Sequence, residues 1–209
     1  MTNSANLPPV TFHESQKNQR IGIFIDTQNL YHSARMNFRS NVNYRALIEG
    51  AVHGRKLIRA FAYVIRSEAG DETKFFDALT DIGIEMRVKD LQVFYSGEKK
   101  ADWDVGIAID IVRMTEKLDA VVLVSGDGDF LEVLRYVKSR GVRAEVMAFR
   151  KTTSAKLLEE VDEFYDLGAD PKKYLIPLGR PPQHSPAPKP LRPFRRLIAG
   201  KEVLRKKLL

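Results

Sequence analysis

The sequence predicts a three-layer α/β fold in which helices cover both faces of a mostly parallel β-sheet. Two observations predict it. Short apolar runs rich in β-branched residues alternate along the chain with helical patterns, and such alternation favours a parallel sheet with right-handed crossovers. One run, Val121–Val124, is apolar without interruption, as is typical of a strand buried on both faces.

The elements follow in order after a polar leader, residues 1–19, which we expect to be disordered. Asn43 and Ser154 are predicted helix N-caps, and Gly141 is predicted to end the helix before it. The strands are predicted at Ile21–Ile25, Leu57–Ile65, within Ile84–Tyr95 as one or two short pieces, at Val121–Val124 and at Val142–Phe149. The helices are predicted from about Asn29, at Tyr44–Val52, at Asp71–Ile82, at Asp102–Leu118, after the central strand up to Arg140, and at Ser154–Phe164.

The composition limits the classes of protein to which the chain can belong. At 209 residues, with 44% apolar and 29% charged residues, the chain can form one good core. It contains no apolar run long enough for a membrane helix and no apolar N-terminal segment typical of a signal peptide, so we expect a cytoplasmic protein without a transmembrane segment. Because it has no cysteine, any metal must be held by oxygen or imidazole ligands.

The positive charge is concentrated at the C-terminus. The net charge is +7, and residues 178–209 alone carry nine Lys/Arg and one acid, so the rest of the chain is nearly neutral. We predict that residues 169–209 form a Pro-rich basic tail, which indicates a polyanionic partner. Its end, Phe194–Leu209, could form a basic amphipathic helix that binds RNA through Arg195 and Arg196, a partner protein, a second copy of the chain or an acidic membrane surface.

Four aspartates are predicted to meet at one edge of the sheet. Asp26 ends the first strand, Asp127 and Asp129 follow the central strand, and Asp104 lies in the first turn of a helix whose apolar face packs on the sheet. Each acid alone is as well explained as a cap or turn residue, and Asp102 is the predicted N-cap of its helix. Together the carboxylates would repel one another unless a cation compensated, and such oxygen ligands suit Mg²⁺ or Mn²⁺. Such a metal can generate hydroxide and stabilise a phosphoryl displacement.

Several of these segments resemble motifs of one known group, the NYN domains, a branch of the PIN-like nucleases. Residues Phe24–Leu30 (FIDTQNL) are similar to the F-x-D-x-x-N-L opening of NYN domains. Lys100–Val105 (KADWDV) looks like their K-x-x-(x)-D-V motif, and Val124–Phe130 (VSGDGDF) matches their S-G-D-x-D-F motif. Ser154–Leu167 resembles their closing segment, with Val161 where alanine is usual. The resemblance covers residues 20–168 and is greatest to the bacterial LabA-like subgroup.

The resemblance implies a Rossmann-like, PIN-like fold, a metal-binding acidic site and single-stranded RNA as substrate. Carried over by residue, Asp26, Asp104, Asp127 and Asp129 take the acidic positions, and Asn29 takes the asparagine that orients an acid or water. The spacing lets either Asp102 or Asp104 fill the second acidic position, and the helix face favours Asp104. Other α/β classes fit worse, because Gln28 replaces the second acid of an Asp-x-Asp phosphatase and no lysine completes a phosphate-binding loop.

The predicted function is therefore a Mg²⁺- or Mn²⁺-dependent endoribonuclease. The alternative is a non-catalytic RNA-binding regulator that retains the fold. RNA contacts are predicted at Lys99, Lys100, Arg150 and Lys151, which lie near the acidic edge, and in the tail. Trp103, Tyr31 and Phe94 are candidates for stacking on bases, with core packing as the competing interpretation.

Overall fold

The computed structural model describes residues 17–66, 73–93, 99–100 and 102–178. Its centre is a six-stranded sheet in which every neighbouring pair of strands is parallel, which confirms the predicted fold class. The strands in spatial order are β4 (Glu85–Asp90), β3 (Lys56–Arg66), β1 (Arg20–Asp26), β7 (Ala120–Val124), β8 (Arg143–Ala148) and β9 (Glu163–Asp166).

Helices cover both faces of this sheet, which completes the three layers. One face packs against α1 (Thr27–Phe38), α2 (Tyr44–Val52) and α3 (Thr73–Asp81), and the other against α4 (Asp104–Thr115), α5 (Leu131–Ser139) and α6 (Ala155–Glu160). The period-2 geometry of a strand divides β1 between two cores, because Ile23 joins the first core and Phe24 joins the second. Among the described residues, no helix is both long and apolar enough to cross a bilayer.

The predicted helix caps are partly confirmed. Asn43 caps α2 by accepting a hydrogen bond from the Ala46 backbone N–H at 3.2 Å, and Gly141 follows α5 with a φ of 74°. Ser154 precedes α6 but makes no side-chain cap hydrogen bond. Asp102 does not cap α4 either. Trp103 occupies the N-cap position, and its side chain makes no capping hydrogen bond.

The helix predicted at Ser154–Phe164 is wrong in its second half. The helix α6 ends at Glu160, and the following residues form the edge strand β9. Asp162, between the helix and the strand, is bonded to Ala144 just inside β8. Its N–H donates to the Ala144 carbonyl at 2.9 Å, and its Oδ2 accepts from the Ala144 N–H at 2.9 Å. Pairing with β8 therefore replaces the helical hydrogen bonds, and this long-range contact is invisible in the local pattern.

Short elements outside the sheet extend the folded part of the chain. The connection after α1 contains β2 (Ser40–Val42), and residues beyond 168 form α7 (Pro171–Tyr174) and β10 (Leu175–Pro177). β10 pairs antiparallel with β2, so regular structure continues past the predicted domain boundary at 168. A small hairpin pairs β5 (Gln92–Val93) with β6 (Lys99–Lys100). The predicted leader up to residue 16 and the tail after residue 178 lie outside the described residues.

Candidate acidic active site

The direction of chain winding reverses between β1 and β7. From β1 the chain proceeds to β3 and β4 on one side, whereas β7 leads to β8 and β9 on the other. The carboxyl ends of the two central strands therefore border a crevice, which is where open α/β sheets bind ligands. Asp26 is the last residue of β1, and the Ser125–Asp129 loop follows β7 at the same edge.

Asp26 is buried, and both of its carboxylate oxygens are held in place. Its Oδ1 accepts a hydrogen bond from the Asn29 backbone N–H at 3.1 Å, which makes Asp26 the N-cap of α1. Its Oδ2 accepts from the Ser125 hydroxyl at 3.1 Å, across from the end of β7. The orientation of Asp26 is therefore fixed from two segments, the first turn of α1 and the end of β7.

The Ser125–Asp129 loop continues this network. The Ser125 Oγ accepts a hydrogen bond from the Asp127 backbone N–H at 3.2 Å, and Asp127 Oδ1 accepts from the Asp129 N–H at 3.0 Å. Asn29 closes the ring, because its Oδ1 accepts from the Gly126 N–H at 3.0 Å. The residues predicted for the site did not include Ser125, although its position inside the S-G-D motif was the available clue to this bridging role.

Asp104 joins the same edge from a third segment of the chain, the first turn of α4. Burial raises the pKa of its carboxyl group, and so does the negative charge of Asp26, Asp127, Asp102 and Asp129. The pKa of Asp26 is also raised, first by burial and further by the charge of Asp127, although its hydrogen bonds oppose the shift. The four predicted aspartates therefore form one electrostatically coupled group.

Asp102 and Trp103 have structural surroundings that differ from those of Asp104. Asp102 is exposed, and its backbone carbonyl accepts a hydrogen bond from Lys89 Nζ at 2.9 Å. The Trp103 indole N–H donates to the Val64 carbonyl at 3.0 Å, and its ring packs edge-on against Tyr63. Trp103 thus packs against the core beneath α4, as the competing interpretation of this aromatic proposed.

One family model matches most of the chain. Residues 20–168 match the model of the NYN domain. The chain belongs to the NYN domain family. It is 28% identical over 183 residues to the low amplitude and bright protein LabA of Synechococcus elongatus, covering 81% of this chain and 94% of LabA. A crystal structure of a Vibrio parahaemolyticus protein of unknown function has a TM-score of 0.70 and 31% identity, over 77% of this chain and 98% of that one.

The acidic edge of this NYN domain has the donor chemistry for a divalent cation, but it is not a preassembled site. Among the described residues, no three His, Asp or Glu side chains are grouped so that they could hold one metal ion. The donor set nevertheless fits Mg²⁺ or Mn²⁺, because it consists of oxygen ligands whose mutual repulsion a cation would relieve. Asp129 is exposed, and Asp104 and Asp127 are half-exposed.

The predicted basic contacts are only partly described in this NYN domain. Arg150 and Lys151 are exposed in a short 3₁₀ turn, Arg150–Thr152, that packs against the acidic loop. The Ser154 N–H donates to the Gly126 carbonyl at 2.9 Å, which joins the two segments. The backbone of Lys99–Lys100 forms β6, but the side chains of Lys99 and Lys100, like all of Phe94, Arg195 and Arg196, lie outside the described residues.

Proposed function

We propose that this NYN protein is a metal-dependent endoribonuclease that cleaves single-stranded RNA at the acidic edge. The observation that carries the proposal is the convergence of Asp26, Asp104 and the Asp127–Asp129 loop from three separate segments of the chain. The fold does not require coupled carboxylates: burial, and then the negative charge of its neighbours, raise the pKa of Asp104 and oppose its ionisation. Groups whose pKa values are shifted by burial together with charged neighbours cluster at functional sites.

In this proposal each residue at the edge has a separate task. Asp26, Asp104, Asp127 and Asp129 would hold one or two Mg²⁺ or Mn²⁺ ions. When bound, such an ion lowers the pKa of a coordinated water and stabilises negative charge on a phosphoryl group. Asn29 and Ser125 position the acids, because they bond Asp26 and the acidic loop to each other.

Arg150 and Lys151 supply positive charge next to the acids. Their turn packs on the acidic loop, so an RNA phosphate that approaches the edge passes close to both side chains. The Arg150 guanidinium lies 4.7 Å from the centre of the Phe164 ring and 3.6 Å from the Asp166 carboxylate, which limits its range of orientations. Lys99, Lys100, Arg195 and Arg196 remain further proposed contacts.

The test is cleavage of a labelled single-stranded RNA by purified protein, with Mn²⁺ and with EDTA. We expect cleavage that requires Mn²⁺ and is lost in Asp127→Asn. This variant removes the charge of Asp127 but keeps an oxygen to accept the Asp129 N–H, so the loop should remain folded. Asp77→Asn, an exposed acid on α3, is the matched control and should cleave normally. Cleavage that persists in Asp127→Asn would indicate a contaminating nuclease and refute the proposal.

The second candidate is a regulator that binds RNA without cutting it. The observation that favours it is the lack of a preassembled set of three metal ligands among the described side chains. The same RNA distinguishes the two functions. Tight binding in EDTA together with intact RNA after incubation with Mg²⁺ or Mn²⁺ would establish the regulator and exclude the nuclease.

A further inference from the structure

A cavity of about 850 Å³ lies immediately beside the acidic edge, on the face of the sheet covered by α1, α2 and α3. Thr27 and Gln28, the two residues that follow Asp26 in the chain, form part of its lining. Tyr44 also lines it, and burial, together with the negative charge of nearby Asp26, raises the pKa of its phenol. Its volume falls within the range of about 300–1,000 Å³ that is usual for small-ligand pockets.

The walls of this cavity are aromatic and aliphatic. Tyr31 presents a ring that is 49% exposed, while the rings of Tyr44 and Phe75 meet edge-to-face with centroids 5.5 Å apart. Val64 and Leu79 add aliphatic surface. The Arg35 guanidinium lies 5.0 Å from the centre of the Tyr31 ring and supports that ring from within the same helix. A flat, partly apolar ligand can stack on such rings.

Two side-chain amides in the lining are available for a ligand. Gln28 and Asn41 are exposed, and within the described part of the chain neither amide forms a hydrogen bond. Asn43, also in the lining, differs because it is already used by the fold: its Oδ1 accepts from Ala46 and its Nδ2 donates to the Lys173 carbonyl. An amide offers both a donor and an acceptor, which is the combination that the edge of a nucleobase can pair with.

The charges in the lining argue against a strongly ionic ligand. Arg45 and Asp81 are exposed and of opposite sign, so their net contribution is small. A neutral planar ring with hydrogen-bonding groups at its edge therefore matches this cavity better than a phosphate or a carboxylate does. The adjacent acidic edge, by contrast, is suited to the phosphate through a bound cation.

We propose that this cavity is a nucleobase-binding pocket, which holds a base of the RNA strand next to the phosphate presented to the acidic edge. The inference rests on the proposed function in one respect, namely that single-stranded RNA is the ligand. It adds that RNA recognition depends on a base, through stacking on Tyr31 and hydrogen bonds to Gln28 and Asn41, and not only on phosphates.

The test measures RNA binding without cleavage. A short fluorescent single-stranded RNA is titrated with the full-length protein in EDTA, and Kd is followed by anisotropy. We expect Tyr31→Ala to weaken binding about tenfold, the lower part of the range for loss of one stacked base. Tyr136→Ala is the matched control, because Tyr136 is also a partly exposed tyrosine but lies on α5 on the opposite face of the sheet. It should bind RNA like the wild type.

A series of RNAs that each lack one base completes the test. One abasic position should weaken wild-type binding as much as Tyr31→Ala does, and combining the two changes should produce no further loss. A second variant, the double change Gln28→Ala and Asn41→Ala, should also weaken binding and should lose little more on the RNA that lacks that base, which guards against a folding defect in Tyr31→Ala. Additive losses, or normal binding by both variants, would overturn the pocket.

Failure of the pocket and failure of the nuclease give different results. If the protein binds RNA with the expected base dependence but does not cleave it with Mn²⁺, the pocket stands and the nuclease fails. If Mn²⁺-dependent cleavage is found while Tyr31→Ala binds and cleaves like the wild type, the nuclease stands and the pocket fails. If no RNA binds, the pocket is overturned.

Discussion

The side-chain oxygen of Asn29 accepts a hydrogen bond from the Gly126 backbone N–H at 3.0 Å, which ties the first turn of α1 to the loop after β7. The two residues are 97 positions apart in sequence and lie beyond the ends of adjacent parallel strands. This bond fixes the distance between Asp26 and the Asp127–Asp129 loop. The geometry of the acidic edge therefore depends on a neutral amide as well as on the acids.

Asn29→Ala should destabilise the protein by about 1–3 kcal/mol, because it leaves the buried Gly126 N–H without a partner. Urea denaturation measures the loss. Asn37→Ala is the control: Asn37 lies on the same helix, and its amide donates to the Ser33 carbonyl at a partly exposed position. It should cost less than about 0.5 kcal/mol. Equal losses in the two variants would show that the Asn29 bond has no special importance.

Gly126→Ala should be more harmful than Gly128→Ala. A Cβ at Gly126 would lie 2.7 Å from the Thr152 carbonyl oxygen and 3.0 Å from the Thr153 Cα, which are backbone atoms that cannot move aside easily. At Gly128 the nearest atom is the Ser154 Oγ at 2.9 Å, which belongs to a side chain. We expect a loss of about 1–3 kcal/mol for Gly126→Ala in thermal or urea unfolding. A larger loss for Gly128→Ala would contradict the close approach of the two loops.

Asp104→Asn should weaken Mn²⁺ binding, whereas Asp102→Asn should leave it nearly unchanged. The physical reason is that Asp104 is coupled to all four neighbouring carboxylates, while Asp102 is exposed two residues before the start of α4. Because Asp102 caps no helix, its substitution should change stability by less than about 0.5 kcal/mol. Calorimetric titration of both variants with Mn²⁺ measures their affinities and shows which aspartate contributes to binding. Loss of binding in Asp102→Asn alone would mean that the wrong aspartate has been assigned to the site.

The carboxylates should make stability depend on pH. Burial raises the pKa of Asp26 and Asp104 in the folded state, so the folded protein binds their protons more tightly than the unfolded chain does. Their contribution to stability is therefore greatest below the unfolded pKa of about 3.9 and is lost as pH rises through the folded pKa. Asp104→Asn should gain less than about 1 kcal/mol at pH 7, since solvent screens a half-exposed group.

Urea unfolding of wild type and Asp104→Asn across the acidic pH range measures this difference. The gain should disappear as the pH falls below about 4, where the wild-type carboxyl group is protonated as well. Saturating Mn²⁺ should stabilise the wild type more than the variant, because only the wild type has the full set of carboxylates. A gain that is independent of pH would exclude charge repulsion as its cause.

Removing the basic C-terminus should reduce the salt dependence of RNA binding. Residues 178–209 carry a net charge of +8, and for single strands log K falls with log salt by about 0.7 for each phosphate contacted. A protein ending at Leu178 keeps the Leu178 N–H bond to the Arg39 carbonyl and loses every one of those cations. We expect weaker binding and a flatter slope in titrations at several salt concentrations. An unchanged slope with a changed mass in light scattering would assign the tail to a protein contact.

Local patterns in the sequence predicted most of the fold because the relevant forces act over a few residues. The run Val121–Val124 is fully buried, as its composition predicts, and the N-cap at Asn43 is found as predicted. The predictions of secondary structure are wrong where pairing with a distant strand determines the local conformation. Residues after Glu160 leave the helix to pair with β8, and β2 forms because β10, over a hundred residues away, pairs with it.

For the candidate site, the sequence by itself determined which residues could carry the chemistry: the acids at strand ends, the asparagine after Asp26 and the likeness to NYN domains. Only the tertiary structure decided their relations. It placed Ser125 between Asp26 and the acidic loop, put Asp104 in the first turn of α4 with Asp102 exposed before it, and formed the cavity beside Tyr31. The physical reason is that side-chain type is a local property, whereas hydrogen bonds, charge coupling and cavities arise between segments that only the packed sheet brings together.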